Sequence, residues 1–120
     1  MAKPCENHWK EAKKVVRYLK GTLNFCIMYT NEFDVEFLGY FDSYWAGNPD
    51  DRKSTTGYVF NIGSGPISWS SKKQPTISLS SIEVEYKALC NATCEAVWLR
   101  RILEDVGETQ QAPIVIRCDN

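Results

Sequence analysis

Residues 80–106 read SSIEVEYKALCNATCEAVWLRRILEDV and have the periodicity of one long helix. Ser80 and Glu83 have the spacing of a capping box, which predicts a helix start at Ser81 and gives Glu83 a structural role. A stripe at three- and four-residue spacing is typical of a helix that packs against a sheet. It runs through Ile82, Glu85, Leu89, Ala92, Ala96, Leu99 and Leu103.

Glu85 is the acidic member of this otherwise apolar stripe. A bare carboxylate on the core-facing side of a helix costs about several kcal/mol, so it must be compensated. Three alternatives stay open: a basic partner, a metal ion, or a position where the stripe reaches the sheet edge and water.

Short apolar runs on both sides of this helix predict strands. The run 36–42 ends in an acid, 57–62 and 66–71 flank Gly63 and Gly65 as a hairpin would, and 113–120 follows the helix. Shorter strands are expected at 25–29 and 76–79, a turn at 31–34 and a long polar loop at 43–56. Because the last strand returns by a helical crossover, it should lie parallel to an earlier one, which predicts an α/β fold.

The N-terminal segment has its own charge pattern. Residues 1–20 carry a net charge of +4, and the remaining hundred residues sum to −5. Apolar residues from Trp9 to Leu23 recur at helical spacing beside a basic stripe, and Gly21 predicts the helix end. The stripe could follow a phosphate backbone, but a solvated face is the commoner meaning.

Length and composition exclude several classes of protein. The chain has 120 residues, 43% of them hydrophobic, and a net charge of −1, which suits one small globular domain rather than a disordered tail. No run approaches the roughly 18 apolar residues of a membrane span, so we expect an intracellular protein, cytoplasmic with the nucleus as an alternative. Five cysteines and a single histidine, His8, match no zinc site, and we expect reduced thiols used as small core residues.

Two acids follow apolar strands in the predicted sheet. Asp42 and Asp119 each end such a run, and ligands of open α/β sheets gather beyond the carboxyl ends of parallel strands. Glu85, in the second turn of the helix, could reach the same edge. Three clustered carboxylates require a cation, and oxygen-only ligands favour Mg²⁺ or Mn²⁺, ions that serve phosphodiester cleavage.

Five blocks of the sequence resemble, in order and spacing, the ribonuclease H domain of the Pol polyprotein of copia-type LTR retrotransposons. The blocks are 38–47, 51–58, 67–74, 79–86 and 118–120. Residues 8–22 resemble the segment that links the reverse transcriptase to this domain. The resemblance therefore divides the chain into a linker segment, 1–34, and a ribonuclease H-like domain, 35–120.

The resemblance implies a ribonuclease H-like mixed sheet, two Mg²⁺ or Mn²⁺ ions, and hydrolysis of the RNA strand of RNA–DNA hybrids during reverse transcription. It assigns the catalytic and metal-binding roles to Asp42, Glu85 and Asp119, with Asp42 bridging both ions. The implied partners are the hybrid and the reverse transcriptase portion of the same polyprotein, with no membrane partner.

Substrate contacts are expected from two basic, hydroxyl-rich loops, 52–55 and 71–74, although solubility explains such loops nearly as well. The predicted nucleic-acid contacts are Ser43, Arg52, Lys53, Ser54, Lys72, Lys73, Gln74 and Asn120.

The sequence also departs from the family pattern. It stops at Asn120, before the fourth metal-site residue, the closing strand and the C-terminal helix of the usual domain. We therefore expect a truncated domain that is weakly active or inactive alone. The alternatives are a catalytically dead nucleic-acid-binding remnant of the same fold, and an interaction piece that uses the N-terminal helix and an uncovered sheet edge.

Overall fold

The computed structural model describes residues 4–30, 36–47 and 51–118, which form two helices and a four-stranded mixed sheet. The elements are α1 (Glu6–Gly21), β1 (Phe37–Tyr44), β2 (Thr55–Ile62), β3 (Gly65–Lys73), α2 (Ser81–Asp105) and β4 (Val115–Cys118). The strand order is β3-β2-β1-β4. β4 runs parallel to β1 and the other pairs are antiparallel, so the α/β fold and the helical crossover are confirmed.

The start of α2 is the predicted one. The hydroxyl of Ser80 accepts a hydrogen bond from the backbone N–H of Glu83 at 3.2 Å. The Glu83 carboxylate accepts one from the backbone N–H of Leu79 at 2.8 Å and pairs with Lys87 at 2.6 Å. The Glu83 N–H is one of the donors that the helix leaves unpaired, and the Leu79 N–H lies just before the cap. Both bonds are local, which explains why the local sequence signal was sufficient.

The face of α2 that packs against the sheet differs from the predicted stripe in its first half. The buried residues are Val84, Ala88, Ala92, Ala96 and Leu99. Ile82 is 61% exposed and Leu89 37% exposed, so their prediction as core residues was wrong. Three of the five buried residues are alanines, at 88, 92 and 96, so the side of α2 against the sheet carries mainly small side chains.

The core lies between α2 and one face of the sheet. Phe60 of β2 has no exposed surface, and its ring packs edge-on against Phe37 of β1 with the ring centroids 5.9 Å apart. Phe41 packs against the same cluster from the carboxyl end of β1. Since side chains alternate along a strand, Phe37 and Phe41 face α2, and Tyr40 and Asp42 face the opposite side of the sheet.

Several sequence-based boundaries need correction. Residues 25–30 and 76–79 form no strand. Instead, the Tyr29 hydroxyl donates a hydrogen bond to the Pro66 carbonyl at 2.6 Å, which attaches the segment after α1 to the β2–β3 turn. The strands also continue further than predicted, so residues 43–44, 55–56 and 72–73 belong to strands rather than loops. The predicted turn at 31–34 lies outside the described residues.

α1 is the amphipathic helix that the sequence predicts, and it ends at Gly21 as expected. None of its residues is buried: Trp9, Val16 and Leu19 are 63%, 64% and 57% exposed.

The five cysteines are free thiols but all are exposed, so their prediction as core residues was wrong. In the part of the chain that the structure describes, neither helix combines the length and the apolar character that crossing a membrane requires.

Candidate functional site

Asp42 lies near the carboxyl end of β1, opposite Gly57 of β2 in the antiparallel register. Its side chain is exposed, and Oδ1 accepts a hydrogen bond from the backbone N–H of Ser43 at 2.6 Å. The carboxylate lines an open cavity of about 510 Å³ together with Tyr40, Arg117 and other residues of β1, β2 and β4. The predicted catalytic aspartate therefore stands at an accessible strand end.

Glu85 occupies the second turn of α2 and is half-buried. It lines a cavity of about 320 Å³ with Phe41 of β1 and Cys118 of β4, beside the exposed apolar residues Ile82 and Leu89. Glu85 is therefore partly accessible to solvent, and the three sequence-based alternatives for its compensation stay predictions.

Asp42 and Glu85 both lie near Phe41 and Cys118. Phe41 and Cys118 are partners in the parallel β1–β4 register, and both residues border the cavity of Asp42 and the cavity of Glu85. The two carboxylates themselves line different cavities, one on each side of this pair.

Asp119 is the next residue after Cys118 and lies outside the described residues, as does Asn120. Within the ranges 4–30, 36–47 and 51–118, no group of three or more histidine, cysteine or acidic side chains is arranged to hold a metal ion. The three-carboxylate cluster therefore stays a prediction. Carboxylate oxygens from Asp42 and Glu85 suit Mg²⁺ or Mn²⁺ by donor chemistry.

One residue of the first predicted substrate loop, 52–55, lies inside the protein. Ser54 has no exposed surface, and its hydroxyl accepts a hydrogen bond from the backbone N–H of Ala46 at 3.0 Å. Its carbonyl accepts another from the backbone N–H of Gln74 at 2.8 Å. Ser54 thus joins two loops from inside the protein rather than presenting its hydroxyl at the surface, and Arg52 and Lys53 beside it are at least partly exposed.

The side chains of the second predicted substrate loop, 71–74, have different environments. Lys73 pairs with Asp51 at 2.8 Å, and this hydrogen bond is the main reason that the pKa of Asp51 lies below its ordinary value. Lys72 is exposed, and Gln74 is buried with only 6% of its surface accessible. Ser43, the remaining predicted contact, is half-buried beside Asp42.

Sequence reasoning missed a polar cluster on the other side of α2. Glu95 accepts a hydrogen bond from the Ser68 hydroxyl of β3 at 2.5 Å. Tyr58 of β2 lies beside it, and burial followed by the charge of Glu95 raises the pKa of the Tyr58 hydroxyl. Alternation with Phe60 could have placed Tyr58 on the α2 face, and the hairpin signal predicted that β3 pairs with β2. The packing of α2 on these strands, which brings Glu95 to Ser68, had no local signal.

The relatives of this chain include a secreted effector protein and retrotransposon Pol polyproteins. It is 48% identical over 96 residues to the secreted RxLR effector protein 161 of Plasmopara viticola, which covers 80% of this chain and 68% of that protein. It is 41% identical over 120 residues to the retrovirus-related Pol polyprotein from transposon RE2 of Arabidopsis thaliana, which covers all of this chain and 8% of that polyprotein.

A third relative is another Pol polyprotein, and it also matches almost the whole of this chain. The retrovirus-related Pol polyprotein from transposon TNT 1-94 of Nicotiana tabacum is 40% identical over 117 residues, which is 98% of this chain and 9% of that polyprotein. The chain thus spans less than a tenth of the Pol polyproteins that it matches. No family model matches the sequence, and no solved structure is significantly similar to it. The chain belongs to one family with the Plasmopara viticola protein, and its homologues include the Pol polyproteins of copia-type retrotransposons.

Proposed function

We propose that this chain is the ribonuclease H region of a retrotransposon Pol polyprotein, which hydrolyses the RNA strand of RNA–DNA hybrids with Mg²⁺ or Mn²⁺. The observation that carries the proposal is the similarity to Pol polyproteins along the whole chain. Asp42 and Glu85 both lie next to the Phe41–Cys118 pair, on opposite sides of it, so a shared metal site would require the two carboxylates to approach each other. The five sequence blocks support the same assignment.

In this proposal Asp42, Glu85 and Asp119 hold the divalent ions. The ions, when bound, supply activation of water and stabilisation of the leaving oxygen in an in-line displacement. Asp42 is exposed and Glu85 is half-buried, so both carboxylates are at least partly accessible to solvent. Arg117, which lines the same cavity as Asp42, would attract a substrate phosphate.

The proposal is tested with a labelled RNA–DNA hybrid in the presence of Mg²⁺ and, separately, Mn²⁺. Because the sequence analysis expects a weakly active or inactive chain, we expect at most slow, metal-dependent cleavage of the RNA strand, which leaves 3′-hydroxyl and 5′-phosphate ends. Asp42→Asn and Glu85→Gln should each reduce the rate by at least about 10-fold to 100-fold, because each removes a metal-binding carboxylate. Glu83→Gln is the matched control: it lies on the same helix, two residues from Glu85, and should retain the rate.

Binding of Mn²⁺, followed by its paramagnetic effect on water relaxation, separates the alternatives. Mn²⁺ and hybrid binding without cleavage would favour the catalytically inactive nucleic-acid-binding remnant. Equal rates in Asp42→Asn, Glu85→Gln and the unmodified chain would contradict the assigned site, and binding of neither metal nor hybrid would contradict both readings.

A further inference from the structure

Two thiols lie one helical turn apart on the surface of α2. Cys90 and Cys94 are both free and exposed. A spacing of four residues brings the Cβ atoms of two side chains on a helix to about 5–6 Å from each other. The two sulfur atoms can therefore reach one ion between them. Neither cysteine lines the cavities of Asp42 and Glu85.

The backbone that carries the two thiols is held against the sheet. Ala88, Ala92 and Ala96 are buried along the same turns of α2. The thiols thus lie in the middle of a 25-residue helix and not at a fraying end. Ligands on such a fixed element favour metal binding, because their relative positions are largely set before the ion arrives.

The donor set favours a soft ion that needs only two ligands. Thiolate sulfur is a soft ligand that selects Cu(I) and Zn²⁺. A structural Zn²⁺ site takes four ligands, and in the described part of the chain no group of three or more histidine, cysteine or acidic side chains is arranged to hold an ion. Cu(I) forms stable complexes with two thiolates alone. The pair of cysteines therefore suits Cu(I) better than Zn²⁺.

The surroundings of Cys94 are compatible with the negative charge of two thiolates bound to Cu(I). Cys94 lines a cavity of about 440 Å³ between α2 and the strands β2 and β3, and the exposed Lys72 lines the same cavity. Glu95 also lines it, and its carboxylate accepts a hydrogen bond from the Ser68 hydroxyl. The positive charge of Lys72 offsets part of the negative charge of the complex.

We propose that Cys90 and Cys94 bind one Cu(I) ion across a turn of α2. Each thiol releases its proton to solvent as its Cu–S bond forms, and the copper stays Cu(I), so no electron is transferred and no oxidant is required. The inference does not rest on the proposed nuclease activity, because binding requires neither Asp42 nor Glu85 and no nucleic acid.

The test is an anaerobic titration of the full chain with Cu(I) in competition with the chromophoric chelator bicinchoninate. We expect the chain to take one Cu(I) ion from the chelator and to remain a monomer in size-exclusion chromatography. Cys90→Ser and Cys94→Ser should each weaken binding by at least about tenfold, because each leaves a single thiolate. Both positions are exposed, so serine leaves the core intact, and circular dichroism checks the helix.

Cys5→Ser is the matched control. The Sγ atom of Cys5 lies 3.4 Å from Nδ1 of His8, so this pair is the rival site for a soft ion, and the variant should keep the affinity of the unmodified chain. Loss of binding in Cys5→Ser would move the ion to that pair and would overturn the proposal. Equal affinity of Cys90→Ser, Cys94→Ser and the unmodified chain would overturn it as well, as would a copper-bridged dimer or no binding at all.

Alkylation of the unmodified chain tests the site without a substitution. One equivalent of Cu(I) should protect Cys90 and Cys94 from iodoacetamide, as mass spectrometry of the peptides measures, and the exposed Cys26 should react as it does without copper. Equal alkylation of all three would contradict the site. Retention of Zn²⁺ through gel filtration with the same dependence on both cysteines would show that further ligands take part, and it would overturn the two-thiolate site.

Discussion

Gly39 of β1 and Phe60 of β2 lie opposite each other in the antiparallel register, and the Phe60 ring occupies the space that a side chain at position 39 would need. Both residues are buried, and Phe60 is the centre of the only aromatic cluster among the described residues. The absence of a side chain at Gly39 therefore permits the packing that joins β1, β2 and α2.

Gly39→Ala should lower the free energy of unfolding by about 1–3 kcal/mol, because the added methyl group forces the Phe60 ring from its position. Urea denaturation followed by circular dichroism measures the change. Gly21→Ala is the control, since nothing lies within 4 Å of the place where its Cβ would be. Equal stability of Gly39→Ala and the unmodified chain would show that the core can accommodate the methyl group.

The two helices should differ in their contribution to stability. Leu99→Ala in α2 should cost about 2–5 kcal/mol, because Leu99 is 7% exposed and packs in the core. Leu19→Ala in α1 is the same chemical change at a side chain that is 57% exposed, and it should change stability by less than about 0.5 kcal/mol. The same denaturation experiment compares them, and a large loss for Leu19→Ala would reveal packing of α1 against the domain.

Glu83 makes the helix start of α2 sensitive to acid. Its hydrogen bond with Lys87, and then the one from the Leu79 backbone, hold the pKa of this carboxyl below the ordinary value of 4.5. A lowered pKa contributes stability that is fully present above the unfolded value and is lost as the pH falls through the folded value. Glu83→Gln should therefore be less stable than the unmodified chain at neutral pH, and the difference should disappear in acid.

Thermal denaturation of both chains between neutral pH and about pH 3 measures this effect. The glutamine retains an acceptor for the Leu79 N–H, so the comparison isolates the charge. A difference in stability that stays constant across the pH range would contradict the assignment.

Ionisation of the Tyr58 hydroxyl should lower the stability of the protein at alkaline pH. Burial and the charge of Glu95 raise the pKa of its hydroxyl above the ordinary value of 10.0. A raised pKa contributes stability that is present below the unfolded value and is lost as the pH rises through the folded value. Above pH 10 the unmodified chain should lose stability more steeply than Tyr58→Phe. Tyr86→Phe, whose side chain is 69% exposed, is the control and should follow the unmodified chain.

Local signals were sufficient where a few neighbouring residues decide the structure. The Ser80–Glu83 cap set the start of α2, Gly21 marked the end of α1, and the apolar run before Asp42 placed this acid near the end of β1. The hairpin around Gly63 was equally predictable from the turn residues. For these features the determining interactions span about four residues or fewer.

Longer-range features were not accessible in this way. Residues 25–29 are apolar enough for a strand, yet Tyr29 instead bonds to Pro66 at the β2–β3 turn. In the first turns of α2 the buried residues are Val84 and Ala88 instead of the predicted Ile82 and Leu89, although Ile82 and Leu89 are larger and apolar, so hydrophobic periodicity alone did not identify the buried side. The sequence also contained no indication that Ser54 would be buried between two loops.

The amino-acid order by itself thus determined the α/β class, the extent of α2, the end of α1 and the place of Asp42 near the carboxyl end of β1. Only the tertiary structure decided which face of α2 is buried, that Asp42 and Glu85 line separate cavities around Phe41 and Cys118, and that Gln74 and Glu95 share another cavity. The physical reason is distance along the chain. Caps and turns satisfy backbone groups a few residues away, whereas cavities form where strands and a helix far apart in sequence fail to fill the space between them.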